Sequence, residues 1–242
     1  MSKLKLSYHL LGLISRFSKS KPIKDMTKNL TLVFLITILA SCGGGERVSK
    51  EVFEEVNQAM EVKKLNEAEI LDKAMVWGDS ISLEAQKQLM GSLQKAIAEK
   101  GVPGAIEFCN VQALPILKEV GDKYGVEVRR ASNRYRNPTD QPTEMELRYL
   151  ETYEYDVENG NELAPNLQKL NGGEELLYTK AIVIPGGLCL NCHGEPGKEI
   201  SEETLQKLNE LYPEDKAIGH QIGDLRGMWS IKIPKKEVVK EM

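Results

Sequence analysis

Cys189-Leu190-Asn191-Cys192-His193 sets two thiols three positions apart and an imidazole directly after the second. This spacing is the attachment signature of a c-type haem. Each position has a chemical reason. The two thiols add across the porphyrin vinyl groups and leave thioether bonds, and the histidine under the iron becomes an axial ligand. The other reading of the same residues is half of a structural zinc site, which needs further Cys or His ligands; none lies close by in sequence. The expected cofactor is one covalent haem c, bound through Cys189 and Cys192 and ligated by His193.

The chain has four cysteines. Cys189 and Cys192 go to haem, and Cys42 is the candidate for lipid, as argued below. Cys109 is then left without a disulfide partner in an oxidising compartment, where a lone thiol is unusual. Val102, Ile106, Cys109, Ala113, Ile116 and Val120 recur at helical spacing and form one apolar face. Two readings of Cys109 are open: a small buried hydrophobe, or a thiolate on the sixth position of the iron. The histidines give one rival ligand, His220, since His9 lies in the segment expected to be removed. Met228, Met145 and Met90 are further candidates, although methionines are more often packing residues. Arg130 and Arg136, with Arg129 and Arg134 beside them, are candidates to pair with haem propionates; a solvated strand edge explains the same charges. Tyr178 and Trp229 read as core rather than as electron relays.

Haem attachment of this kind takes place outside the cytoplasm, so an export signal is expected. Lys28 leads into an uncharged apolar run from Leu30 to Ala40. The run is shorter than the roughly 20 residues that span a bilayer and matches a signal-peptide core. Leu39-Ala40-Ser41-Cys42 resembles the lipobox of bacterial lipoproteins, in which the cysteine is diacylated and becomes the first mature residue. Two acyl chains are enough for stable membrane attachment. An ordinary signal peptide with an incidental cysteine is the other reading. Met1 to Asp25 make an unusually long basic lead, so Met26 is the expected true start. These readings divide the chain into a signal peptide over 1–41, a lipid-anchored tether and helix over 42–79, and a haem domain over 80–242. The expected location is the periplasmic face of the inner or outer membrane.

The net charge is −4 over the whole chain. Removing 1–41 takes away seven Lys/Arg and one Asp and leaves 25 basic and 35 acidic side chains, about −10. Such a surface does not suit nucleic acid, whose affinity comes from phosphate neutralisation. It would suit a basic redox partner.

Several elements must position these groups. A charged segment from Lys50 to about Trp77 reads as an amphipathic helix, or a helix with a break. Ser82 to Lys100 reads as a second helix. Gly101 and Pro103 punctuate the junction with a third helix that carries Cys109, and Pro115 inside it should bend it. Val126–Ala131, Leu176–Ile184 and Met228–Ile233 read as strands. Thr143 with Glu146 is a capping box opening a short helix. Glu151 to Asn171 reads as irregular, and Ser201 to Leu211 as a short helix. Helices first and strands afterwards predict an α+β fold with an antiparallel sheet.

In this order, Ala105-Ile-Glu-Phe-Cys-Asn110 with Pro115, Arg130-Ala-Ser-Asn-Arg-Tyr-Arg-Asn-Pro138, Tyr178-Thr-Lys-Ala181, Cys189-Leu-Asn-Cys-His-Gly194, Tyr212-Pro213, Gly219 and Gly223-Asp-Leu-Arg-Gly227 resemble a known family. It is a bacterial haem-c domain long catalogued as a domain of unknown function, whose structurally known member is a cyanobacterial cytochrome of PAS-like fold. The resemblance covers about residues 80–234. It implies a PAS-like antiparallel sheet with flanking helices, and axial ligation by His193 on one side and Cys109 on the other. It departs from the family at His220, where an aromatic residue is usual.

An anionic thiolate stabilises ferric iron and lowers the reduction potential. With both axial positions filled there is no open site for substrate, so an enzyme is not expected. The expected role is electron transfer or redox sensing with a separate partner protein. The alternative is a haem-based sensor in which reduction releases the thiolate and opens the iron to CO or NO. A weaker third reading is a haem enzyme using His220 as proton donor.

Overall fold

The protein is described by a computed structural model, which covers residues 49–59 and 66–242. Cys42, the signal segment, Met26 and the triglycine tether lie outside the described residues. The chain divides into two units, Met1–Val62 and Lys63–Met242. The described part of the first is a single helix, α1, Lys50–Ala59. Ser49 caps it, its hydroxyl oxygen accepting the Val52 amide at 3.2 Å.

The second unit opens with α2, Glu67–Tyr124. Asn66 and Glu69 form a capping box at its start. The helix runs unbroken to Gly101, so the break expected between Trp77 and Ser82 is absent. Gly78, inside this run, serves close packing. A Cβ there would lie 2.4 Å from Tyr178 Cγ, so only glycine lets the helix approach the sheet. Gly78→Ala is expected to cost about 1–3 kcal/mol through overpacking, read as a fall in the thermal unfolding midpoint.

Gly101 takes φ 70° and ψ 177° and breaks α2 into two arms. The second arm carries Cys109, continues through Pro115 with helical backbone, and ends at Gly125 with φ 65°. The arms fold back on each other. Trp77 meets Tyr124 edge-to-face with ring centroids 6.0 Å apart, and Lys123 Nζ lies 2.8 Å from Glu84 Oε1.

The remaining elements build a sheet with helices on both faces. They are β1 Glu127–Ala131, α3 Glu144–Glu158, β2 Asn166–Leu170, β3 Glu175–Val183, α4 Gly187–His193, α5 Glu202–Leu211, β4 Leu225–Pro234 and α6 Lys235–Lys240. The strand order is β1-β4-β3-β2, antiparallel throughout. Strand periodicity sends alternate residues to opposite faces. Leu176, Tyr178, Trp229, Ile231 and Ile233 pack against Ile70, Ala74, Trp77, Ile81, Leu117 and Val120 of the α2 hairpin. Ile70, Ala74 and Trp77, at the end of the charged segment, thus belong to the core. Met228 and Ala131 face α3, against Leu150 and Tyr153.

Polar groups under α3 are matched. Glu146 accepts hydrogen bonds from Ser230 Oγ at 2.6 Å and the Thr143 amide at 2.8 Å and pairs with Arg129. Tyr153 Oη donates to the Thr179 carbonyl at 3.0 Å. Such pairing is what burial of polar groups demands.

The α+β class and the strands at β1, β3 and β4 are as expected. The 151–171 stretch differs. α3 continues to Glu158, and Asn166–Leu170 is the outer strand β2. An edge strand is half solvated, so its sequence carries little apolar alternation. Helices α4 and α6 were also not foreseen. Among the described residues, no helix is long and apolar enough to cross a membrane.

Candidate haem site

Positions i, i+3 and i+4 of a helix share a face. Cys189, Cys192 and His193 hold those positions on α4, and all three line one cleft of about 260 Å³. Its walls come from both arms of α2 (Leu89, Met90, Ile106, Cys109), from the sheet (Ile182, Trp229) and from α4. The sequence brings Cys109 here as its periodicity predicts: Ile106 and Val120 of the same face are buried, and Cys109 is half-buried at the cleft wall.

A strap over residues 217–220 fixes the end of α4. The Gly219 amide donates to the Gly194 carbonyl at 2.6 Å and the His220 amide to the His193 carbonyl at 2.8 Å. Gly219 needs φ 72° to make this bend. Arg136 adds a hydrogen bond to the Cys192 carbonyl.

His193 Nδ1 lies 2.7 Å from the Ala217 carbonyl oxygen. A carbonyl only accepts, so Nδ1 carries the proton and Nε2 holds the lone pair. Arg226 Nε donates to that lone pair at 3.4 Å. Burial holds the His193 pKa well below the ordinary value, helped by the Arg226 and Arg136 charges. The ring is the neutral imidazole with an oriented free nitrogen, the form that ligates a metal.

Burial pushes up the thiol pKa values of Cys109, Cys189 and Cys192. Arg130 and Arg136 act the other way on Cys109, and Cys109 and Cys192 lie close enough to feel each other. Among the described residues no group of three His, Cys, Asp or Glu is arranged as a cation site. A structural zinc would need four such ligands.

The other candidate residues separate by position. Arg130 and Arg136 line the cleft. Arg130 Nη2 is 3.4 Å from Asp140 Oδ2, and its Nε is buried without a hydrogen-bond partner. Arg136 Nε is 3.0 Å from Asp215 Oδ2. Arg129 and Arg134 do not line it; Arg129 serves Glu146, and Arg134 serves the Ile218 carbonyl and His220. His220 is buried behind the motif, its ring centroid 6.1 Å from that of His193 at 87°, and is not part of the cleft wall. Burial first, then Arg134 and Arg226, bring its pKa down to about 4. Met228 is packed under α3 and Met145 is exposed, whereas Met90 lies in the cleft. Tyr178 and Trp229 are core residues, Trp229 also touching the cleft.

Arg226 is the site residue that the sequence reading missed. It precedes Gly227, whose φ is 154° and where a Cβ would lie 2.5 Å from the Ala131 carbonyl oxygen. Glycine there lets the start of β4 close onto β1 and sets Arg226 against Ser132. An arginine beside a glycine that opens a strand is the signal that could have found it.

A crystal structure of the cyanobacterial haem protein Tll0287 is similar to the chain at 29% sequence identity, over 50% of this chain and 70% of that one, with a TM-score of 0.41. No curated protein matches. The Tll0287-like family profile matches residues 46–234, most of the chain and all of the residues around the cleft: the protein belongs to the Tll0287-like family.

Proposed function

We propose that this chain is a c-type haem protein whose single haem is held by Cys189 and Cys192 and ligated by His193 and Cys109, and that it works in electron transfer or redox sensing. The observation that carries the reading is the convergence on one cleft of three thiols and an imidazole nitrogen lone pair. The name of the cyanobacterial relative, a haem protein, points the same way.

The residues fit the group. The apolar walls from α2 and the sheet suit the hydrophobic face of a porphyrin. Arg130 brings an unsatisfied buried donor suited to a carboxylate. When bound, haem supplies a ferric/ferrous couple that carries one electron. The chain's own contribution is orientation and tuning. Cys189 and Cys192 fix the group covalently, the Ala217 carbonyl holds the His193 tautomer, and Cys109 offers an anionic donor near two guanidiniums. With His193 and Cys109 both holding the iron, no position would be left on it for a substrate. His220 stands outside the cleft wall, which favours Cys109 over it as the second ligand. Haem staining of the purified, denatured protein tests the reading: covalent haem is expected, and a colourless polypeptide from a host competent in haem attachment contradicts it.

The apolar run ending at Cys42 supports export and lipidation, which would hold the haem unit at the periplasmic face of a membrane with its partner a separate redox protein. Cys42→Ala is expected to move the protein from the membrane fraction to the soluble periplasmic fraction. Continued membrane residence after that change would argue against the lipid anchor.

A further inference from the structure

Arg226 differs from the other arginines of the cleft. Arg130 has Asp140 and Arg136 has Asp215. Among the described residues Arg226 has no carboxylate at ion-pair distance, and Asp140 and Asp215 act on it only from further off. Its Nη1 donates to Ser132 Oγ and to the Arg134 carbonyl, both at 3.2 Å, and its Nε to His193 Nε2 at 3.4 Å. Among the described residues, its Nη2 makes no hydrogen bond. Three guanidiniums thus share two carboxylates, and the one without a direct ion pair is half-buried. An ion so placed is costly unless a counter-charge arrives. The contact it makes with His193 is also temporary on the reading above. The Nε2 lone pair is the one that an iron atom takes, and two partners cannot share it.

We propose that Arg226 is the anchor for a haem propionate, exchanging its contact with His193 for that carboxylate when haem loads. This rests on the proposed haem reading and deepens it. Before loading, Arg226 holds the ring of His193 with its lone pair turned into the cleft. On loading it is released beside a group that brings two carboxylates, while Asp140 and Asp215 stay committed to Arg130 and Arg136. A fork of parallel N–H donors is the geometry that a carboxylate accepts best. Ser132 and the Arg134 carbonyl keep the guanidinium at the cleft through the exchange.

The test uses the haem-loaded full chain and compares wild type with Arg226→Gln and Arg226→Lys. The readouts are the propionate bending bands in the resonance Raman spectrum and the midpoint potential. Arg226→Gln is expected to shift one propionate band and to lower the midpoint potential, since a cation beside the haem is lost. Arg226→Lys keeps the charge but not the fork, so the band is expected to shift with most of the potential retained. Unchanged bands in both variants would overturn the proposal. If Arg226→Gln does not accumulate, the Lys variant decides alone: a shifted band supports the anchor and an unshifted band overturns it. Haem content separates the two levels of the account. A wild type without covalent haem removes the haem reading itself, whereas loaded variants with unshifted bands remove only the role of Arg226.

Discussion

Replacing both Cys189 and Cys192 by alanine is expected to abolish the haem that survives denaturation. The two thiols stand at i and i+3 of α4 on one cleft face, where each can close one thioether bond. With neither, any haem that His193 and the apolar walls retain is held by coordination and packing alone, and detergent or acid acetone removes it. Each single variant keeps one thioether and is expected to retain a reduced amount. The pyridine haemochrome spectrum checks this, since it distinguishes haem with two, one or no reacted vinyl groups. Full covalent haem in the double variant would mean that other residues form the attachment.

Cys109→Ala is expected to leave the covalent haem in place, to change the ferric absorption spectrum, and to raise the midpoint potential. Axial ligand identity moves haem potentials over about 0.8 V, so losing an anionic donor is expected to shift the couple upward by on the order of 100 mV. The cleft by itself holds the Cys109 pKa up, so a bound thiolate would depend on the metal. Burial alone favours the neutral thiol, while Arg130 and Arg136 oppose that effect, and an iron atom would add a further positive charge. Structural damage is a small term, because removing one half-buried sulfur from a helix costs about 1 kcal/mol. Met90→Leu serves as the control, as Met90 shares the cleft; its spectrum is expected to match wild type. An unchanged spectrum in Cys109→Ala would take the cysteine off the iron.

Much of the site is legible in the sequence because its information is local. The Cys189-to-His193 spacing needs nothing beyond a single helical turn. The place of Cys109 on the cleft wall follows from the apolar periodicity of its own helix, while the cysteine count only marks it as a candidate ligand. The strands at β1, β3 and β4 carry their apolar alternation because each packs against buried side chains. What stays hidden depends on partners distant in sequence. Gly78 owes its place to Tyr178, a hundred residues later. β2 is polar because it is an edge, so its strand character comes from pairing with β3. Arg226 gains its meaning only when β4 closes onto β1 and meets His193. His220 shows the reverse case. Its residue type makes it a ligand candidate, and the strap over residues 217–220 sets it behind the motif, outside the cleft wall.

The most direct test of the central claim is the absorption spectrum of the purified full chain in ferric and ferrous states, with CO added to the reduced form and a measured midpoint potential. The account predicts a six-coordinate low-spin ferric haem with thiolate character and a negative midpoint potential, both dependent on Cys109. A ferric spectrum of bis-histidine or histidine–methionine type, insensitive to Cys109→Ala, would contradict it.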